Sequence, residues 1–205
     1  MTMKRMHALA AIAAIGLLLA GCGEDPQVAP ESGAEETVQQ DENGAGSTGD
    51  ESGEQSFGAI TLLVPEGWTP IEVTGEIEPG DWAAGFMDDA EDPTAFLRVM
   101  PESTAPPHAD AAANELIAAG QFTDIYGDSF EVTGREPVEL DGAEEAYEVR
   151  FRYLEGSTEI RGRWWVAADR RSGLVSAVEY AGKDVTDEQF DAFAETIEFD
   201  PRQAG

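Results

Sequence analysis

The chain has 205 residues, 42 of them Asp or Glu and only 12 Lys or Arg, for a formal net charge of −30. That balance excludes nucleic acid as a partner, because binding it demands a basic face. One cysteine excludes an internal disulfide, and with two histidines the chain has too few soft ligands for a zinc site. Lys4 and Arg5 supply a positive start, and Ala8 to Ala20 is an apolar run of 13 residues. The run is too short to cross a bilayer, which takes roughly 20 residues. Its length and flanks fit a secretory signal peptide over residues 1–21, which export removes.

The apolar run ends at the lone thiol. Leu19-Ala20-Gly21-Cys22 resembles the lipobox of bacterial lipoproteins. The resemblance implies a diacylglycerol on the Cys22 sulfur, cleavage before Cys22 and an acylated new N-terminus. At about 0.8 kcal/mol per buried methylene, two or three chains anchor stably where one does not.

Residues 22–56 are low in complexity. They hold ten Asp or Glu, no Lys or Arg and no aromatic residue. Such a chain buries too little apolar area to offset its ordering entropy, so it reads as a disordered acidic tether. A flexible linker of this length spans roughly 30–35 Å, and its self-repelling carboxylates extend it further.

Residues 57–205 read as one domain. Ile60 to Val64 is a strand ending in the turn Pro65-Glu66-Gly67, and Trp68 opens a return through Ile71 and Val73. Trp82 to Met87 and Ala95 to Met100 are strands flanking an acidic turn. Pro106 and Pro107 precede an Ala-rich helix from Ala109 to Ala119, closed by Gly120. Phe130 to Val138, Ala143 to Leu154, Thr158 to Ala167 and Leu174 to Tyr180 follow as a meander of strands. The closing helix, Asp187 to Ile197, opens with a capping-box pattern at Thr186 and Gln189. Phe190, Phe193, Ala194 and Ile197 give it one apolar face.

A strand running into "VPEGW", a helix after the fourth strand and a closing "FDAFAETIEF" resemble the PsbP-like superfamily, which includes the Mog and DcrB proteins, and the small actinobacterial lipoproteins built on that domain. The resemblance covers residues 57–199. It implies an α+β fold, an antiparallel sheet meander with two main helices packed against it as an α/β sandwich. It transfers no catalytic residue, since members serve mostly as accessory or binding domains.

The residues permit little chemistry. After removal of the signal the chain keeps one histidine, His108, and one lysine, Lys183. No G-x-S-x-G elbow and no Gly-rich phosphate loop is present. Asp88, Asp89, Glu91 and Asp92 lack the D-x-D-x-D-G spacing of a calcium loop and read as an acidic surface turn. No catalytic residue, metal ligand or cofactor is assigned.

One pattern is chemically unusual. In residues 146–167 Tyr147, Val149, Phe151, Tyr153, Ile160, Trp164 and Val166 share one face of a hairpin. Glu148, Arg150, Arg152, Glu159, Arg161, Arg163 and Trp165 share the other. A two-residue turn at Glu155-Gly156 sets Arg152 opposite Glu159 and Glu148 opposite Arg163. The face is either a salt-bridged outer surface or a binding face for an anionic ligand or partner, in which Arg150, Arg152, Arg161 and Arg163 donate and Trp165 stacks.

Taken along its length, the sequence describes a lipoprotein held on the extracytoplasmic face of the cell membrane through Cys22. Its domain is a non-catalytic binding or accessory module of the cell envelope, with an envelope protein or an anionic ligand as partner. The alternatives are an envelope enzyme using buried carboxylates and a purely structural envelope component.

Overall fold

The long hairpin of residues 145–169 organises the molecule. A computed structural model describes residues 53–71, 82–103, 105–123 and 125–204. The signal segment, the lipobox Leu19-Ala20-Gly21-Cys22 and the tether up to residue 52 lie outside the described residues, as does the expected strand end at Val73.

The described chain is an α+β fold. Its strands are β1 (Gly53–Phe57), β2 (Ile60–Val64), β3 (Thr69–Ile71), β4 (Ala84–Met87) and β5 (Ala95–Met100). Helix α1 (Ala109–Phe122) precedes β6 (Glu131–Pro137), β7 (Glu145–Glu155), β8 (Thr158–Asp169) and β9 (Leu174–Gly182). Helix α2 (Asp187–Ala194) and β10 (Glu198–Phe199) close it. A seven-stranded sheet has the order β3-β4-β5-β9-β8-β7-β6, and a small sheet has the order β1-β2-β10. Every paired strand in both is antiparallel. The expected meander is β6 to β9, and α1 carries the chain from β5, in mid-sheet, to β6 at the edge.

The large sheet is covered on both faces. On one, Ala109, Ala112, Ala113 and Leu116 of α1 pack with Val149, Phe151, Trp164 and Val166. Small residues on the helix let it approach this aromatic layer. On the other, Phe190 and Phe193 of α2 and Ile60, Leu62 and Val64 of β2 pack with Leu97, Val99, Trp165 and Val178. With both faces covered, β9 is buried at every position, and its sequence is accordingly a near-continuous apolar run.

Several expectations are corrected. Gly53 to Ser56, assigned to the tether, form β1 with Phe57, and each pairs with β2. The turn after β2 does not close a hairpin: Trp68 N donates to Pro65 O, Gly67 takes a positive φ of 85°, and β3 pairs with β4 in the other sheet. Helix α1 runs through Gly120 to Phe122. That glycine does not stop the helix but admits the Phe130 ring, which would lie 2.7 Å from an added Cβ. Helix α2 ends at Ala194, and a tightened turn, with Thr196 N donating to Phe193 O, leads into β10.

Candidate functional site

The arginine face folds as its alternation requires, but shifted by one position. Glu155 pairs with Thr158, so the turn is Gly156-Ser157 and Arg150 opposes Arg163 while Arg152 opposes Arg161. Like charges face each other, and carboxylates from neighbouring elements separate them. Glu148 accepts from Arg150 Nε (2.8 Å) and from Arg163 Nη1 (3.0 Å). Glu136 pairs with Arg150 as well. Arg152 donates to Glu131 (2.7 Å) and diagonally to Glu159 (3.4 Å). Asp187 of α2 accepts from Arg161 (2.6 Å) and Arg163 (3.1 Å), and Asp191 accepts from Arg163 (2.7 Å).

Trp165 is only 2% exposed. It lies beneath α2, with ring centroids 5.6 Å from Phe193 and 6.5 Å from Phe190. The Arg163 guanidinium is also buried, 4.8 Å from the Phe190 ring centroid. The stacking role expected of Trp165 is thereby corrected. Trp165 has no free surface on which to stack a ligand, and each of the four arginines is already engaged by at least one carboxylate. Arg161 and Arg163 fasten α2 to the sheet, while Arg150 and Arg152 pair with carboxylates of β6, β7 and β8.

A second ionic cluster lies sealed on the opposite face. Arg98 of β5 and Glu179 of β9 are register partners. Arg98 Nε donates to Glu179 Oε2 (2.9 Å) and Nη2 to the Tyr126 hydroxyl (2.7 Å), which donates in turn to Glu179 Oε1 (3.0 Å). The guanidinium lies 5.0 Å from the Trp82 ring centroid and 5.4 Å from that of Phe96. Burial alone lowers an arginine pKa, but the Glu179 charge overrides it and the Arg98 pKa is raised. Burial, reinforced by Glu179, holds the Tyr126 phenol well above its usual value, so it stays a neutral donor. Trp164, in the same layer, has a buried Nε1–H with no hydrogen-bond partner. The signal for this cluster was present in the sequence: Arg98 and Glu179 are single charges inside apolar strands.

An accessible groove of about 490 Å³ lies beside α2. Its aromatic members are Trp68, Tyr180 and Phe193. Trp68 meets Tyr180 edge to face at 5.7 Å, and Phe193 lies 5.0 Å from Tyr180. Leu63, Pro65, Ala95, Val185 and Ala192 add apolar surface, and Leu63 is 48% exposed. Asp88, Thr94, Asp184, Gln189 and Thr196 complete the lining, which holds no Lys, Arg or His. Partial burial acts to raise the Asp88 pKa, but bonds from the Thr94 hydroxyl and the amides of Ala95, Thr94 and Asp89 outweigh it and hold it below the ordinary value. Burial first, and Asp88 second, raise the Tyr180 phenol, so it too stays protonated. These residues come from four separated stretches, which is why the sequence pattern did not assemble them.

The remaining candidates serve local structure. Asp89 Oδ1 accepts from the amides of Glu91 (2.7 Å) and Asp92 (3.2 Å), so this part of the acidic turn caps its own backbone. His108 precedes α1, half exposed, with Nδ1 3.5 Å from Glu145. It borders an open cleft of about 530 Å³ whose lining has no Ser, Thr, Cys or Lys.

No family model matches the chain, and no curated protein matches it. Among solved structures it is similar to LpqN, involved in cell envelope biogenesis of Mycobacterium tuberculosis, with 16% identity, 75% of this chain and 88% of that chain covered, and a TM-score of 0.39. It is also similar to the Saccharomyces cerevisiae Ran-binding protein Mog1p, with 12% identity, 71% and 82% covered, and a TM-score of 0.36. At such identities and TM-scores neither likeness assigns a function.

Proposed function

We propose that the chain is a lipoprotein of the bacterial cell envelope, anchored through Cys22 on the extracytoplasmic side, whose domain binds a guest in the groove beside α2. The observation that carries the location is the placement of the chain's one cysteine: a charged start, an apolar run and small residues converge on Cys22. A thiol without an internal partner in an exported chain is explained by acylation. The binding reading rests on the groove, whose size and mixed aromatic and polar lining suit a small molecule. An enzyme working through buried carboxylates finds no support at Glu179, which is neutralised by Arg98 inside the core.

Cys22→Ser tests the anchor. The variant should lose labelling by a fatty-acid analogue and accumulate as uncleaved or unanchored protein, while a variant that still labels and sediments with membrane would refute it. Ala192→Trp tests the groove, because Ala192 is an exposed lining residue and a bulky ring there obstructs the opening without touching the core.

A further inference from the structure

We infer that the groove selects a small amphiphilic cation, an apolar or aromatic body carrying an amine; this rests on the reading of the groove as a binding site. The lining brings three aromatic rings, Trp68, Tyr180 and Phe193, together with two carboxylates, Asp88 and Asp184, and no basic side chain. The two acids hold different positions. Asp88 is fixed by bonds from Thr94 N (2.8 Å) and Ala95 N (3.0 Å) and from the Thr94 hydroxyl, so it is a rigid negative charge at the end of the β4–β5 turn. Asp184 is exposed and makes no ion pair or hydrogen bond among the described residues. The Tyr180 hydroxyl likewise has no hydrogen-bond partner among the described residues, although the side chain is 7% exposed. A neutral phenol beside a fixed carboxylate accepts a bond from an ammonium group, and aromatic faces add cation–π attraction.

Charge complementarity decides against other occupants. An anion entering the groove would meet two carboxylates with no base to offset them. Residues 22–52 carry nine acids and no base, so that segment offers no cationic side chain as an occupant. A net charge of −30 concentrates cations around the whole molecule.

The test is calorimetry on the full acylated protein in detergent with three probes of one shape: phenylbutylamine, phenylbutanol and phenylbutyrate. The amine should bind roughly tenfold or more tighter than the alcohol, the carboxylate should bind most weakly, and salt should erode the amine's advantage. Asp184→Asn should remove most of that advantage and leave the alcohol unchanged. Ala192→Trp, with an unaltered melting temperature, should weaken all three. If the alcohol matches the amine in the parent protein, selection for a cation is wrong while the groove remains a binding site. If none of the probes binds, or Ala192→Trp binds them as well as the parent, the groove reading itself fails and the inference with it.

Discussion

Arg98 and Glu179 face each other across two neighbouring strands with side chains 7% and 0% exposed, so both charges have left water. Desolvating two ions costs several kcal/mol each, and only their mutual attraction and the Tyr126 hydroxyl offset it. The cluster therefore behaves as a unit. Arg98→Met should destabilise by about 3–5 kcal/mol in urea unfolding, because Glu179 is left charged and alone. Arg98→Met with Glu179→Met should recover most of that loss, since an apolar pair suits the surrounding Trp82, Phe96 and Trp164 layer. If the double variant is no more stable than the single, the pair is not what limits the core. Gly162 shows the opposite constraint, one of space. A Cβ there would fall 2.3 Å from Phe151 Cζ and 2.9 Å from Ala181 Cβ. Gly162→Ala should cost about 1–3 kcal/mol by overpacking, measured the same way.

Helix α2 has eight residues, too few to be stable alone, and is held by its cap, its two phenylalanines and the arginine lattice. Thr186 accepts from Gln189 N (3.3 Å) while Gln189 Oε1 accepts from Thr186 N (2.8 Å), the reciprocal cap expected from the sequence. Thr186→Ala should cost about 1 kcal/mol. Within the lattice the cost should follow burial. Arg163→Met, 8% exposed and bonded to Glu148, Asp187 and Asp191, should destabilise by about 2–4 kcal/mol, while Arg152→Met, 46% exposed, should change stability by less than about 1 kcal/mol. Chemical melts of the two variants side by side check the ordering, and equal effects would show that burial does not set it. Periodicity made β2, β5 and the two faces of β7 and β8 legible, because each is fixed within a few residues. It did not show what covers each face. Trp165 was placed correctly with the arginines, yet the helix that buries it comes from residues 187–194. The register slipped because Gly156 fits either two-residue turn, with its positive φ of 63°. The small sheet was missed for the same reason: β10 has two residues and is defined by pairing with β2, not by any pattern of its own.

At the scale of the whole molecule, stability depends on how three sets of titrating groups respond to pH. Tyr126, Tyr153 and Tyr180 all have raised pKa values, with burial the leading cause in each. An unfolded tyrosine ionises near pH 10, whereas these stay protonated when folded, so the unfolded state loses protons first and stability falls as pH rises past about 10. Asp187, held down chiefly by its bond from Arg163, and Asp200, held down to about 2 by Arg202, act in the reverse direction. Their contribution is complete above the ordinary carboxylate range near pH 4 and disappears as pH falls below it. Between these limits lies the self-repulsion of a chain with a formal net charge of −30, which favours expansion at neutral pH and relaxes as unpaired carboxylates gain protons. Asp187, which ties α2 to Arg163 and Arg161, keeps its charge below the ordinary carboxylate range, chiefly through its bond from Arg163. Lowering the pH from neutral should therefore remove repulsion before it breaks the α2 lattice, and maximum stability should lie near about pH 5. Added salt should raise the melting temperature at pH 7, where screening relieves repulsion across the whole surface while the buried Arg163 and Arg98 pairs are little affected. Thermal melts from about pH 3 to 11 at low and high salt measure all three limbs. A maximum at or above pH 8, or a melting temperature at pH 7 that falls with salt, would mean that the surface ion pairs outweigh the net charge.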